Sequence, residues 1–167
     1  MGSTFAGLMG KLGHRVLVIE KNSGPSPTAR AINTDGEQLR TFDRLNIAEK
    51  VVENSAEVHR VHFGDADLNP IQTIDQPVGV SSMGWPTQVL FYQPELEGFI
   101  RSAVAKDSNI TLKEDTELID FEDTEEGVSL KCVSSDSEIQ YRAKFLIGCD
   151  GASSFIRKKL DLSLIHI

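Results

Sequence analysis

Cysteine, basic charge and long apolar runs are all scarce in this chain of 167 residues, and each scarcity removes a class of function. The two cysteines, Cys132 and Cys149, lie in apolar, strand-like runs without paired ligand spacing. Buried free thiols in a reducing compartment, with cytoplasm as the expected location, are therefore expected over a disulfide or a metal site. Lys and Arg number 17 against 25 Asp and Glu, and the formal net charge of −8 lacks the concentrated cationic footprint that phosphate contacts demand. Neither nucleic acid nor an anionic membrane surface is an expected partner. No run reaches the roughly eighteen apolar residues of a membrane span, and the opening residues have neither the basic start nor the cleavage signal of a secretory peptide. No nucleophile triad, zinc spacing or internal repeat is present, and no low-complexity tract beyond a proline-containing loop. What the chain does have is 40% hydrophobic and 25% charged residues, enough for a buried core in an acidic globular protein.

Apolar residues Phe5, Leu8, Met9 and Leu12 recur with the spacing of one helical face, so residues 2–12 are expected to be a helix stopped by Gly13. RVLVIE, residues 15–20, follows as a buried parallel strand ending in an acid. The stretch 21–35 is rich in Ser, Pro, Gly, Thr and Asn and reads as an extended loop, with Asp35 capping a helix that carries Leu39, Phe42, Leu45, Val51 and Val52. Between residues 57 and 91 short strands of a different layer are expected in EVHRVHFG, PIQTID and TQVLFY. A helix over 93–109 has Pro94 in its first turn and Leu96, Phe99, Ile100, Ala103 and Val104 on one face. Three further strands, TELIDFED, GVSLKCVS and EIQYRAKFLIGCD, lead into GASSFIRKKL, which begins with small residues and becomes helical.

The opening spacing matches the later part of a dinucleotide fingerprint. Such a fingerprint uses glycines for the strand-to-helix turn, for backbone approach to the pyrophosphate and for close helix packing, with an acid some twenty residues on for the ribose hydroxyls. Gly2 suits the third glycine, Ala6 and Gly13 suit the small positions along the helix and at its turn, and Glu20 suits the acid. The helix would then direct unpaired N–H groups and its positive dipole end at a pyrophosphate. NAD and FAD both carry that half, so the spacing leaves the two open.

Taken together, GHRVLVIEK, PSPTARAIN, YQPELE and FLIGCDGASSFIRKKL resemble the FAD-dependent aromatic hydroxylases, the class A flavoprotein monooxygenases related to 4-hydroxybenzoate and 3-(3-hydroxyphenyl)propionate hydroxylases. The likeness runs to about residue 160. It implies an α/β fold: a partial FAD-binding Rossmann-like domain, with a parallel sheet and an antiparallel meander, holding a small inserted piece of a β-rich substrate domain. On that division residues 1–56 and 92–160 form a discontinuous FAD-binding domain without its first strand, and residues 57–91 belong to the substrate domain. The resemblance assigns Gly2 to the phosphate turn, Glu20 with the adjoining Lys21 to the adenosine side, Arg30 to a loop reaching the cofactor, and Gln93 to the flavin side. Asp150, Gly151 and Arg157, with Ser154, fit a DG motif that serves FAD and the approach of the pyridine nucleotide, Arg157 being placed to hold the Asp150 carboxylate. The implied chemistry is reduction of FAD by NADPH or NADH, addition of O2, and hydroxylation of an aromatic small molecule by the flavin hydroperoxide. Halogenases, epoxidases and isoprenoid reductases on the same scaffold are the alternative, as is a catalytically inert piece.

Two patterns are read as decoys. HFGDAD, residues 62–67, imitates a second GD motif but precedes QPELE and DGASS, so it is assigned to a strand and turn. His59 and His62 fall on opposite faces of a strand, which does not make a metal pair. The ending LSLIHI departs from the family pattern and reads as the translation of a transposon-end sequencing adapter. With the missing first strand, it leads to the expectation of a piece truncated at both ends, with a non-native tail over 161–167.

Overall fold

In the computed structural model of the chain, residues 1–163 are described, and most of the suspected tail therefore lies outside the described residues. Helix α1 (Gly2–Lys11) ends where Gly13 takes φ +82°, a left-handed conformation that carries little cost only for glycine. Strand β1 (Val16–Ile19) then pairs with β7 (Ile110–Lys113) in a two-stranded sheet. The Val16 amide donates to Asn109 O and the Glu20 amide to Lys113 O, both at 2.9 Å, so both strands ascend together and the pair is parallel. The parallel expectation holds, but the expected burial does not. Leu17 remains 37% exposed because two strands do not cover both faces. The sequence reading passed over β7, whose cue is the alternation of Ile110 and Leu112.

The chain divides into two compact units, one of Met1–Gly2, Leu17–Ser23 and the described residues from Leu112 on, the other of Ser3–Val16 and Gly24–Thr111. In the first, β8 (Thr116–Thr124), β9 (Gly127–Ser134) and β10 (Ser137–Ala143) form an antiparallel meander in the order β10-β9-β8. Leu118, Cys132 and Ile139 lie in register across it, as do Phe121, Leu130 and Tyr141. Phe121, Leu130 and Cys132 are buried, and Phe155 of α5 (Phe155–Lys159) meets the Phe121 ring edge-on at 6.3 Å. The EEG turn and the start of α5 fall where the sequence places them. The last expected strand does not continue as far: β10 stops at Ala143, and Lys144 to Asp150 form no ladder. Phe145 is 79% exposed in that stretch, and Cys149, expected buried, is exposed. An apolar run becomes a strand only when a neighbour completes its hydrogen bonds, and the described residues supply none here.

In the second unit, β2 (Asn33–Asp35), β6 (Gln88–Leu90) and β3 (Ala56–Glu57) form a sheet in the order β2-β6-β3. β2 thus takes the end of what the sequence reads as loop. Asp35 caps α2 (Gly36–Asp43), its carboxylate accepting from the Gln38 amide at 2.8 Å. The single helical stretch read from periodicity is broken at Asn46, φ +57°, into α2 and α3 (Ala48–Glu53), since asparagine enters the left-handed region more readily than most residues. Leu39, Phe42 and Val51 pack in the core with Leu96, Ile100 and Val104 of α4 (Gln93–Ala105). β4 (Arg60–Gly64) and β5 (Pro70–Asp75) make a separate ribbon, so the strands read between 57 and 91 exist but serve two sheets. The mixed α/β expectation, with parallel and antiparallel pairing, is borne out.

The small positions that α1 needs for packing are Gly7 and Gly10 as well as the expected Ala6. A Cβ on Gly10 would lie 2.6 Å from Asp107 Oδ2 and 2.7 Å from Ile110 Cδ1, so the helix approaches the α4–β7 turn at glycine distance. Asn109 Nδ2 donates to Gly10 O at 3.2 Å in the same contact. Gly10→Val is expected to destabilise the chain by about 1–3 kcal/mol through overpacking, read as a lowered urea midpoint; an unchanged midpoint would show that the contact is not close in solution.

Candidate functional site

In the first unit, the residues named from the sequence gather at two chain turns. Gly2 opens α1, and a Cβ there would stand 3.2 Å from the Cβ of Cys149, so the backbone passes at a separation that favours glycine. Glu20 leaves β1 with its backbone tied on both sides, its amide donating to Lys113 O and its carbonyl accepting from the Thr116 amide at 3.0 Å. Its carboxylate Oε1 accepts from both the backbone amide and the side-chain Nδ2 of Asn22, each at 2.9 Å. Asn22 is a residue that the sequence reading missed, although an acid followed two residues later by Asn is a recognisable turn pattern. Lys21, between them, is exposed.

Asp150 and Ser154 build the second turn around Gly151, φ +80°. Ser154 is buried and caps α5: its Oγ accepts from the Arg157 amide at 2.9 Å and donates to Asp150 Oδ1 at 2.5 Å. The Ile156 amide donates to Asp150 Oδ2 at 3.1 Å. Burial pushes the Asp150 carboxyl up, but the Ser154 hydroxyl and then the amides around it outweigh that and hold it below the ordinary carboxylate value of 3.8. The expected grip of Arg157 on Asp150 is not what the structure shows. Arg157 Nη1 donates instead to Leu162 O at 2.9 Å, and its Nε is buried without a hydrogen-bond partner. The hydroxyl and amide of the adjoining turn reach the carboxylate with less chain to order than a long arginine side chain requires.

In the second unit Gln93 and Arg30 come together, a contact that the sequence did not lead us to expect, and they meet through the Arg30 backbone. Gln93 Oε1 accepts from the Arg30 amide at 2.6 Å and the Ala31 amide at 2.8 Å, leaving the Arg30 side chain exposed. Gln93 Nε2 donates to Glu97 Oε1 at 2.7 Å, and Glu97 Oε2 accepts from the Ser26 amide at 3.0 Å. Glu97 was not singled out from the sequence. Its signal was the i, i+4 spacing from Gln93, which puts both on one helix face.

The decoys behave as strand and turn. Asp65 accepts from the Asp67 and Asn69 amides and from Asn69 Nδ2, closing the β4–β5 connection on itself. His62 Nδ1 lies 2.9 Å from Thr73 Oγ1, and among the described residues no group of His, Cys, Asp and Glu could hold a metal ion. An open depression of about 610 Å³ beside Leu8, Arg40, Arg44, Met83 and Trp85 contains none of the candidate site residues. Among the described residues no helix is long and apolar enough to cross a membrane.

The Asp150 turn has a definite pH signature. Because its carboxyl is depressed in the fold, its stabilising contribution is fully present above the ordinary value of 3.8 and fades as pH falls through the lower folded value. Asp150→Asn is therefore expected to lower denaturant stability near neutral pH, with a gap to the parent chain that narrows as pH falls below the ordinary carboxylate value. Ser154→Ala should cost about 1 kcal/mol through the lost cap. A gap that does not change with pH would remove the carboxylate from this account.

Among proteins known by sequence, the chain resembles aromatic hydroxylases. A 3-(3-hydroxy-phenyl)propionate/3-hydroxycinnamic acid hydroxylase of Mycobacterium sp. (strain JLS) is 24% identical over 163 residues, which cover 98% of this chain and 28% of that protein. The enzyme of the same name from Escherichia coli O81 (strain ED1a) is 29% identical over 170 residues, covering 97% of this chain and 29% of that one. The chain thus spans under a third of the length of these curated relatives. Among solved structures, p-nitrophenol 4-monooxygenase PnpA from Pseudomonas putida DLL-E4 superposes with a TM-score of 0.87 at 23% identity, over 96% of this chain and 40% of that one. The flavin-dependent monooxygenase PieE, in complex with FAD and substrate, gives 0.85 at 22% identity, over 97% and 30% of the two chains. These structures share the fold, and the likeness to FAD-dependent aromatic hydroxylases read from the sequence is borne out. Residues 1–166 match the model described as FAD binding domain, and the chain belongs to that family.

Proposed function

We propose that this chain is the FAD-binding portion of an NAD(P)H-dependent flavoprotein monooxygenase that hydroxylates a phenolic or other aromatic small molecule. The observation that carries the reading is Glu20, an acid at the end of a parallel strand, with its backbone tied on both sides and one carboxylate oxygen fixed by Asn22. An acceptor held in this way suits a diol such as the adenosine ribose.

The donor chemistry of the other residues fits the same group. The first amides of α1, reached past Gly2, suit a pyrophosphate. Lys21 adds a point charge beside Glu20. The exposed Arg30 side chain offers a planar fork of donors for phosphate oxygens. The Asp150 turn presents an ionised carboxylate next to Gly151, where a side chain would meet nothing within 4 Å, and Arg157 lies one turn further on. FAD, when bound and reduced by NADPH or NADH, supplies the activation of O2 that ring hydroxylation requires, and the protein supplies binding, orientation and exclusion of water. The aromatic acids named for the hydroxylase relatives support phenolic acids as the substrate class to test first.

Titration of the purified chain with FAD is expected to quench flavin fluorescence and raise the thermal midpoint with ligand concentration. Glu20→Ala should weaken binding by about tenfold or more, the scale of losing a charge-assisted hydrogen bond. No uptake of FAD by the chain would overturn the cofactor assignment. For the reaction, a protein carrying this chain in its complete reading frame should oxidise NAD(P)H faster when a phenolic acid is added and release a hydroxylated product. A broad phenol panel with neither effect would remove the hydroxylase assignment.

A further inference from the structure

Three hydrogen bonds join the start of α4 to the loop that carries Arg30, a fourth links their two acceptor side chains within the helix, and the polarity of the set allows one arrangement only. The amides of Arg30 and Ala31 both point at the same side-chain atom, which must be an acceptor and so is Gln93 Oε1. That leaves Gln93 Nε2 as a donor in need of an acceptor, and Glu97 Oε1 stands 2.7 Å from it. The second Glu97 oxygen takes the Ser26 amide, so one carboxylate oxygen fixes the Gln93 amide and the other holds the start of the loop. A flipped Gln93 would set its NH2 against two N–H groups and its oxygen against a carboxylate. Gln93 and Glu97 are half-buried, and the loop between Ser26 and Ala31 contains no helix or strand of its own to satisfy these amides.

We propose that Glu97 is a positioning residue: by fixing the orientation of the Gln93 amide, it holds loop residues 26–31 in the conformation that presents Arg30 to the cofactor. This rests on the reading of Arg30 as an FAD contact. Ser26 and Thr28 bond to each other within the loop at 3.3 Å, which shapes its tip but does not anchor it to α4. The Arg30 side chain is long and carries many rotamers, so freeing its backbone adds to the entropy that binding must overcome.

The network can be inverted without changing its shape. In Gln93→Glu the new carboxylate still accepts from the loop amides but faces Glu97, so the pair repels. In the double variant Gln93→Glu with Glu97→Gln, the new glutamine donates to the new carboxylate and accepts from Ser26. Hydrogen exchange at Ser26, Arg30 and Ala31 in the flavin-free chain, together with FAD affinity, reads the outcome. The single Gln93→Glu variant is expected to exchange these amides faster and bind FAD about tenfold more weakly, the scale of one or two lost charge-assisted bonds. The exchanged pair should restore both. In an Arg30→Ala background, Gln93→Glu should speed exchange as before yet leave FAD affinity where Arg30→Ala alone puts it. Unchanged exchange in the single variant, or no rescue by the exchanged pair, overturns the clamp. Additive losses of affinity in the Arg30→Ala background overturn its action through Arg30. A chain that takes up no FAD overturns the flavin reading instead, and the exchange measurements alone still decide the clamp.

Discussion

Two hydrogen bonds tie Glu20 into the chain, its amide to Lys113 O and the Thr116 amide to its own carbonyl, and the position of the candidate ribose acceptor depends on them. A carboxylate at the end of a free strand would sweep a wide volume. Here the backbone is held on both sides, and Asn22 holds one carboxylate oxygen through its own amide and side chain. The entropy of placing the acceptor is thus spent on folding and not on binding.

The same constraint, that amides outside a ladder need acceptors, recurs wherever the chain is irregular. Asp35 answers it at the start of α2, Asp65 in the β4–β5 connection, Asp150 and Ser154 before α5, and Gln93 with Glu97 along the Arg30 loop. Short acids and amides do this work because their acceptor atoms lie close to the backbone and lose little freedom. An acidic composition that argues against nucleic acid in the sequence is, in the fold, partly a supply of acceptors for loops. Where the described residues supply no neighbouring strand, as along Lys144 to Asp150, an apolar run stays outside any ladder.

Much of the local geometry around the proposed cofactor residues was legible in the sequence. Gly2, Glu20 and the Asp150–Gly151 turn were found because their chemistry is bound to local geometry, a strand end or a tight turn that a few neighbouring residues specify. Asn22 and Glu97 were not found, although each stands at a simple spacing from a residue that was. Their role comes from which backbone amides face them, and Glu97 reaches Ser26 from a helix far along the chain. The Arg157 expectation failed for a related reason: spacing alone put it within reach of Asp150, but the Ser154 hydroxyl and a helix amide were nearer.

By itself the sequence determined the local elements: α1 from its apolar period, the stop at Gly13, the Asp35 cap, the meander from alternation and its two-residue turns. These rest on interactions within a few residues, which composition and spacing encode directly. Tertiary structure alone decided that β6 joins β2 and β3, that β7 exists and lies parallel to β1, that Leu17 and Cys149 remain exposed, and that Gln93 serves the Arg30 loop through its backbone. Each of those depends on which distant segment supplies the other half of a hydrogen bond or the other side of an apolar contact, and no local pattern carries that partner's identity.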